Sequence, residues 1–228
     1  VSIQVEAPHE EGRLTARPST VSEPLHQRGV TTLPHRASLY VPPGVDPAEP
    51  TPLLVMLHGA GGNARGALAL IDHAALRQGV AVLAIDSAHS TWDVVRGGFG
   101  PDVRALDRAL SETFRRVAVD PDRIGIGGFS DGASYALSVG LTNGDLFRYV
   151  LAFSPGFSAP GRAHGRPRVF VSHGTEDRVL PIERTSHRLV RRLEREGYAV
   201  RYEELEGEGH AVPRAIAEQA VGILARGG

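Results

Sequence analysis

Four short stretches of this 228-residue chain hold residue types that do chemistry together. The most informative is Gly128-Phe129-Ser130-Asp131-Gly132, a G-x-S-x-G. An apolar, strand-like run (RIGIGGF) leads in, and an amphipathic, helix-like run (ASYALSVGL) leads out. A strand–turn–helix of this kind holds a serine on a strained turn above a sheet, at the positive end of the next helix. A serine hydroxyl is a weak nucleophile at neutral pH and needs a base beside it. Histidine supplies the base, and a carboxylate fixes its tautomer and stabilises the imidazolium. Downstream, residues 168–172 run into His173-Gly174-Thr175-Glu176-Asp177, where Asp177 is the candidate acid and Glu176 its neighbouring rival. Residues 199–204 run into Gly207-Glu208-Gly209-His210, which places His210 as the candidate base.

Acyl chemistry also needs two preorganised N–H groups for a developing oxyanion. One is expected from Asp131, the residue after the serine. The other is expected from Ala60, in the turn His58-Gly59-Ala60-Gly61-Gly62. The Asp131 carboxylate would oppose an oxyanion, so its side chain is expected to point away. Of the 10 histidines, His58 and His173 precede glycines at strand ends and read as turn-packing residues. His9, His26 and His35 precede the sheet, His73 and His187 read as helix surface, and His89 and His164 lie on loops near the expected mouth. No HExxH or similar ligand spacing occurs, so no metal and no cofactor are expected.

Two absences narrow the chemistry. The chain has no Cys and no Lys, so all 25 basic residues are Arg. Thiolate nucleophiles, disulfides, Cys-ligated zinc, Schiff bases, Ser–Lys dyads and the phosphate-loop lysine are excluded. A net charge of -1 gives no electrostatic case for nucleic acid or an anionic membrane as partner. No apolar stretch approaches the roughly 18 residues needed to span a bilayer. The chain opens on Val1 with no charged segment followed by an apolar run, so no signal peptide is visible and no compartment is assigned.

The elements that must position these residues follow from periodicity. Residues 12–17 and 36–41 alternate as short strands. Residues 53–57 (LLVML) and 80–85 (VAVLAI) are continuous apolar runs, as in strands buried on both faces. Further strands are expected at 123–129, 149–153, 168–172 and 199–204. Helices are expected at 64–78, 101–117, 131–141, 184–196 and 212–225. This alternation predicts an α/β domain with a mostly parallel central sheet and helices on both faces.

The motifs LHGAGG, GFSDG, HGTEDRVLP and GEGH, in this order, resemble the phospholipase/carboxylesterase family of α/β-hydrolases, relatives of the acyl-protein thioesterases. The resemblance implies a Ser130–Asp177–His210 triad and an oxyanion hole from the Ala60 and Asp131 amides. The thioesterase branch typically has Gln where this chain has Asp131. Residues 1–34 read as an N-terminal extension with room for an edge strand, and residues 35–228 as the α/β-hydrolase catalytic domain. The loop after residue 153 is too short for a cap domain. Trp92 and Phe157, on two mouth loops, are expected to line a substrate pocket. A small-molecule ester is the expected partner: short-chain or aryl carboxylic esters first, then polyhydroxyalkanoate oligomers, feruloyl esters, lysophospholipids or acyl thioesters. The remaining alternative is a non-catalytic binding module on the same scaffold.

Overall fold

The computed structural model describes residues 8–25 and 27–227. His26 lies outside the described residues. One eight-stranded sheet organises the chain, in the order β1-β2-β4-β3-β5-β6-β7-β8. β1 (Gly29–Leu33) and β2 (Ala37–Val41) form an antiparallel edge, and β2 runs antiparallel to β4 (Ala81–Ile85). The remaining strands are parallel: β3 (Thr51–Leu57), β5 (Val119–Phe129), β6 (Tyr149–Phe153), β7 (Arg168–Gly174) and β8 (Val200–Leu205).

The unbroken apolar run of β3 is explained by two cores. Successive side chains of a strand point to opposite faces. Leu53, Val55 and Leu57 join a core with α3 (Pro101–Arg116), α4 (Asp131–Thr142) and α5 (Ser186–Arg195). Leu54 and Met56 join the other, with α1 (Ala64–Ala69), α2 (Asp72–Gln78) and α6 (Arg214–Arg226). The helix expected over 64–78 is thus two helices. The N–H groups of Leu70 and Ile71 turn back three residues, to Ala67 and Leu68, which closes the first helix. Residues 154–167 contain no helix, so nothing caps the sheet at that point.

The strand expected at 12–17 is absent, although its alternation is real. Leu14 and Ala16 are buried in the core while Thr15 and Arg17 are exposed. The segment runs as an extended strap whose backbone is satisfied by side chains instead of a neighbouring strand. Asp107 on α3 accepts the Thr15 and Ala16 N–H groups, each at 2.8 Å, and the Thr15 hydroxyl at 2.6 Å. Asn143 accepts the Leu14 N–H at 2.9 Å and donates to the Gly12 carbonyl at 2.8 Å. Burial alone would push the Asp107 carboxyl up. The Thr15 hydroxyl, the two N–H groups and His9 together hold it below the ordinary carboxylate value. Asp107→Ala should therefore cost about 1–3 kcal/mol, as expected for orphaned buried donors. Urea unfolding would measure the loss, and trypsin should then cut faster at Arg13.

Candidate active site

β5 ends at Phe129 and α4 begins at Asp131, so Ser130 must reverse the chain alone. It does so at φ 58°, ψ −120°, a region that non-glycine residues rarely occupy. Its N–H is fixed to the Phe153 carbonyl of β6 at 2.9 Å, and its own carbonyl accepts from Ala133 and Ser134 in the first turn of α4. The turn closes so tightly that a Cβ at Gly132 would collide with the carbonyls of Leu57 and His58. Close approach brings the turn after β3 onto the serine, with Gly59 against the Ser130 Cβ.

That turn carries Ala60. Its neighbours are held: the Gly61 N–H donates to the Ser90 carbonyl at 2.6 Å and the Gly62 N–H to the Gly59 carbonyl at 3.0 Å. The Ala60 and Asp131 N–H groups donate to no protein acceptor among the described residues. The Asp131 carboxylate is turned aside, accepting the Thr91 hydroxyl at 2.6 Å. His58 is a packing residue: its Nε2 accepts the Ser87 N–H at 3.0 Å, which leaves Nδ1 to donate to the Gly59 carbonyl at 2.7 Å.

The acid and the base lie on loops after β7 and β8. Asp177 is buried, and its Oδ2 accepts from His210 Nδ1 at 2.6 Å. Its Oδ1 accepts the Val179 and Leu180 N–H groups, each at 2.8 Å. Burial would raise this carboxyl, but the Leu180 N–H, His210 and the Val179 N–H leave it lowered overall. Glu176 is exposed and does not meet His210. The two loops can touch because residue 174 is glycine: a Cβ there would strike the carbonyls of Glu208 and Gly209. The His210 ring packs on Phe129, centroids 4.6 Å apart, one residue from Ser130. No hydrogen bond joins the Ser130 hydroxyl to His210 among the described residues, and such bonds often tighten only around substrate.

Of the two expected pocket residues, Trp92 needs correction. Trp92 is fully buried: it stacks on Tyr135 (centroids 4.8 Å, 16° between planes), and its Nε1 donates to the His58 carbonyl at 2.9 Å. An indole N–H seeks an acceptor when buried, and this one found the backbone beneath the Ala60 turn. Phe157 is half-buried and lines a cleft of about 180 Å³ with Arg184, Arg188 and Arg192 beside α5.

Three hydroxyls that sequence reasoning passed over hold the loop carrying Phe157. Ser134 accepts the Gly156 N–H (2.9 Å), Ser138 the Ala159 N–H (3.0 Å) and Thr142 the Gly161 N–H (3.0 Å). Each hydroxyl also donates to the carbonyl four residues back. Their spacing of four along a buried helix was the available signal.

With this geometry in hand, comparison with known proteins decides the family. The phospholipase/carboxylesterase family model matches residues 102–222, more than half of the chain. The chain belongs to that family. Acyl-protein thioesterase 1 of Gibberella zeae is 34% identical over 110 residues, covering 43% of this chain and 46% of that protein, so the match spans about half of that relative's length. The crystal structure of esterase PE8 superimposes with a TM-score of 0.67 at 21% identity, covering 87% of this chain and 99% of that one. A truncated carbohydrate esterase from gut microbiota gives 0.71 at 17% identity, covering 92% and 98%. The Bacillus cereus carboxylesterase gives 0.63 at 21%, covering 84% and 94%. These likenesses show the α/β-hydrolase fold.

Two measurements test this arrangement. Trp92→Ala should destabilise the chain by about 3–5 kcal/mol, the range for a buried aromatic, and leave the relative rates on short, long and aryl esters unchanged. A changed ranking of esters would return Trp92 to the pocket. The second test concerns pH. Burial holds the His173 ring below its ordinary 6.5. As pH falls below 6.5 the unfolded chain takes up a proton there that the folded chain refuses. Asp177 acts in the same direction at lower pH, its contribution being lost as pH falls through its lowered folded value. The urea midpoint should therefore decline steadily from near neutral pH downward, with the upper part of that decline flattened in His173→Gln.

Proposed function

We propose that the protein is a serine carboxylesterase that hydrolyses short-chain or aryl carboxylic esters through an acyl-enzyme. The observation that carries this reading is Ser130, held at φ 58° where α4 starts, beside two N–H groups with no protein acceptor among the described residues. The 2.6 Å His210–Asp177 pair, packed against the residue before that serine, supplies the base.

In the proposed reaction the Ser130 oxygen attacks the ester carbonyl carbon while His210 Nε2 takes the hydroxyl proton. The carbonyl oxygen becomes an oxyanion held by the Ala60 and Asp131 N–H groups, aided by the N-terminal end of α4. His210 returns the proton to the departing alkoxide, the carbon–oxygen bond breaks, and an alcohol leaves. Water repeats the sequence on the acyl-enzyme and releases the acid. Asp177 holds His210 in the tautomer with a bare Nε2 and stabilises its cation. The uncapped sheet supports small or flat substrates over a lipid-water interface.

The thioesterase reading draws on the Gibberella zeae relative, and its carbonyl chemistry is the same. A series of p-nitrophenyl esters of rising chain length, with a feruloyl ester, a soluble polyester and an acyl thioester alongside, separates the substrate classes. Turnover should be highest on short or aryl esters. Ser130→Ala should lower the rate on the order of 10⁴-fold or more and abolish labelling by a fluorophosphonate. Full esterase activity in that variant would overturn the mechanism. Failure of the native chain to take the label would favour the binding-module reading.

A further inference from the structure

His173 does nothing in the reaction proposed above, yet it sits fully buried against it. Both ring nitrogens are fixed. Nε2 lies 2.8 Å from the Leu180 carbonyl and Nδ1 2.7 Å from the Ser186 hydroxyl on α5. A carbonyl can only accept, so Nε2 carries the proton, and Nδ1 is left to accept from Ser186. The Asp177 Oδ2 lies 3.1 Å from the same Nε2, a second acceptor beside the Leu180 carbonyl. One carboxylate oxygen is therefore flanked by two imidazoles, His210 at 2.6 Å and His173 at 3.1 Å. Leu180 is gripped from both sides as well: its N–H serves Asp177 and its carbonyl serves His173.

The other charged groups near by are engaged elsewhere. Glu204, the β8 partner of His173 in the sheet register, pairs with His187 at 3.0 Å. Glu176 and Glu208 are exposed. Burial, opposed by the Leu180 carbonyl and the Asp177 charge, keeps the His173 ring below its ordinary value and so neutral near pH 7. A neutral ring presents a fixed N–H dipole and no competing positive charge.

We propose that His173 is a positioning residue for the Asp177–His210 pair, fixing the turn that carries the acid and setting how much of the Oδ2 charge is left for His210. It clamps that turn through the Leu180 carbonyl. Its N–H edge on Oδ2 limits rotation of the carboxylate and draws off part of its charge. Ser186 keeps the ring in the donating tautomer. The proposal rests on the esterase reading only for its effect on rate; the geometry it assigns to His210 is independent of any substrate.

Three variants of the full chain test it: His173→Phe, His173→Gln and Ser186→Ala. One readout is the low-field proton NMR signal of the His210 Nδ1–H bonded to Asp177. The other is kcat, KM and the pH–rate profile on a soluble aryl ester. His173→Phe keeps the ring's bulk but removes the N–H. It should shift the low-field signal and lower kcat about 10–100-fold, the usual cost of losing an outer hydrogen-bond partner, with KM little changed. The acidic limb of the profile should move to higher pH, because Oδ2 would then hold the His210 cation more strongly. His173→Gln can place an amide N–H near the Nε2 position and should restore most of the rate and the signal. Ser186→Ala should shift both readouts the same way by a smaller amount. Should His173→Phe fail to fold, Ser186→Ala against the native chain carries the comparison. An unchanged signal and an unmoved limb in whichever of these variants folds would overturn the proposal, and so would equal rate losses in Phe and Gln variants with no movement of the limb. A low-field signal that depends on His173 in a chain inactive on every ester would sink the esterase reading and leave this inference standing.

Discussion

The end of β3 and the start of α4 cross with room for only a hydrogen atom between them, at Gly132. Much of the site depends on that approach. It lets the turn carrying Ala60 approach the Ser130 Cβ through Gly59. The same crossing leaves Ser130 no ordinary backbone conformation, and its positive φ is held by hydrogen bonds on both sides of the residue. Strain at one residue is tolerated because the neighbouring sheet over-determines it. β6 fixes its N–H, and the first turn of α4 fixes its carbonyl.

Around this crossing, side chains supply the hydrogen bonds that irregular backbone lacks. Asp93 and Asp102 shape the loop before α3, accepting N–H groups from Ala88, Asp93, Gly100 and Asp102 at 2.6–2.9 Å. The hydroxyls of α4 do the same for the loop after β6. Buried backbone groups must be paired somewhere, and in these loops side chains supply many of the partners.

Much of this was legible in the sequence, for identifiable reasons. Strands such as residues 53–57 and 149–153 announce themselves by apolar runs that two cores require. Ser130, Asp177 and His210 follow the carboxyl ends of β5, β7 and β8, and the parallel direction of these strands puts those ends on one side of the sheet. What the sequence left hidden depends on partners far away along the chain. The alternation of residues 12–17 was visible, but nothing in it says that Asp107 and Asn143 would replace a neighbouring strand. Trp92 looked like a pocket wall because it lies on a mouth loop, and only the acceptor on His58 explains why it turned inward. His173 was read as packing a turn, which it does. Its contact with Asp177 depends on the fold of the following four residues.

The strap at residues 12–17 also has a bearing on the order of assembly. Its anchors are Asp107, Asn143 and Asp145, more than 90 positions further along. It also reaches both mouth loops, since Phe99 lies over Gly12 and Gly161 lies against the Glu11 carbonyl. During synthesis these early residues leave the ribosome long before anything exists for them to hold. Contacts so distant along the chain form slowly and late. The segment is therefore made early but can dock across the mouth loops only after residues up to Asp145 have been made.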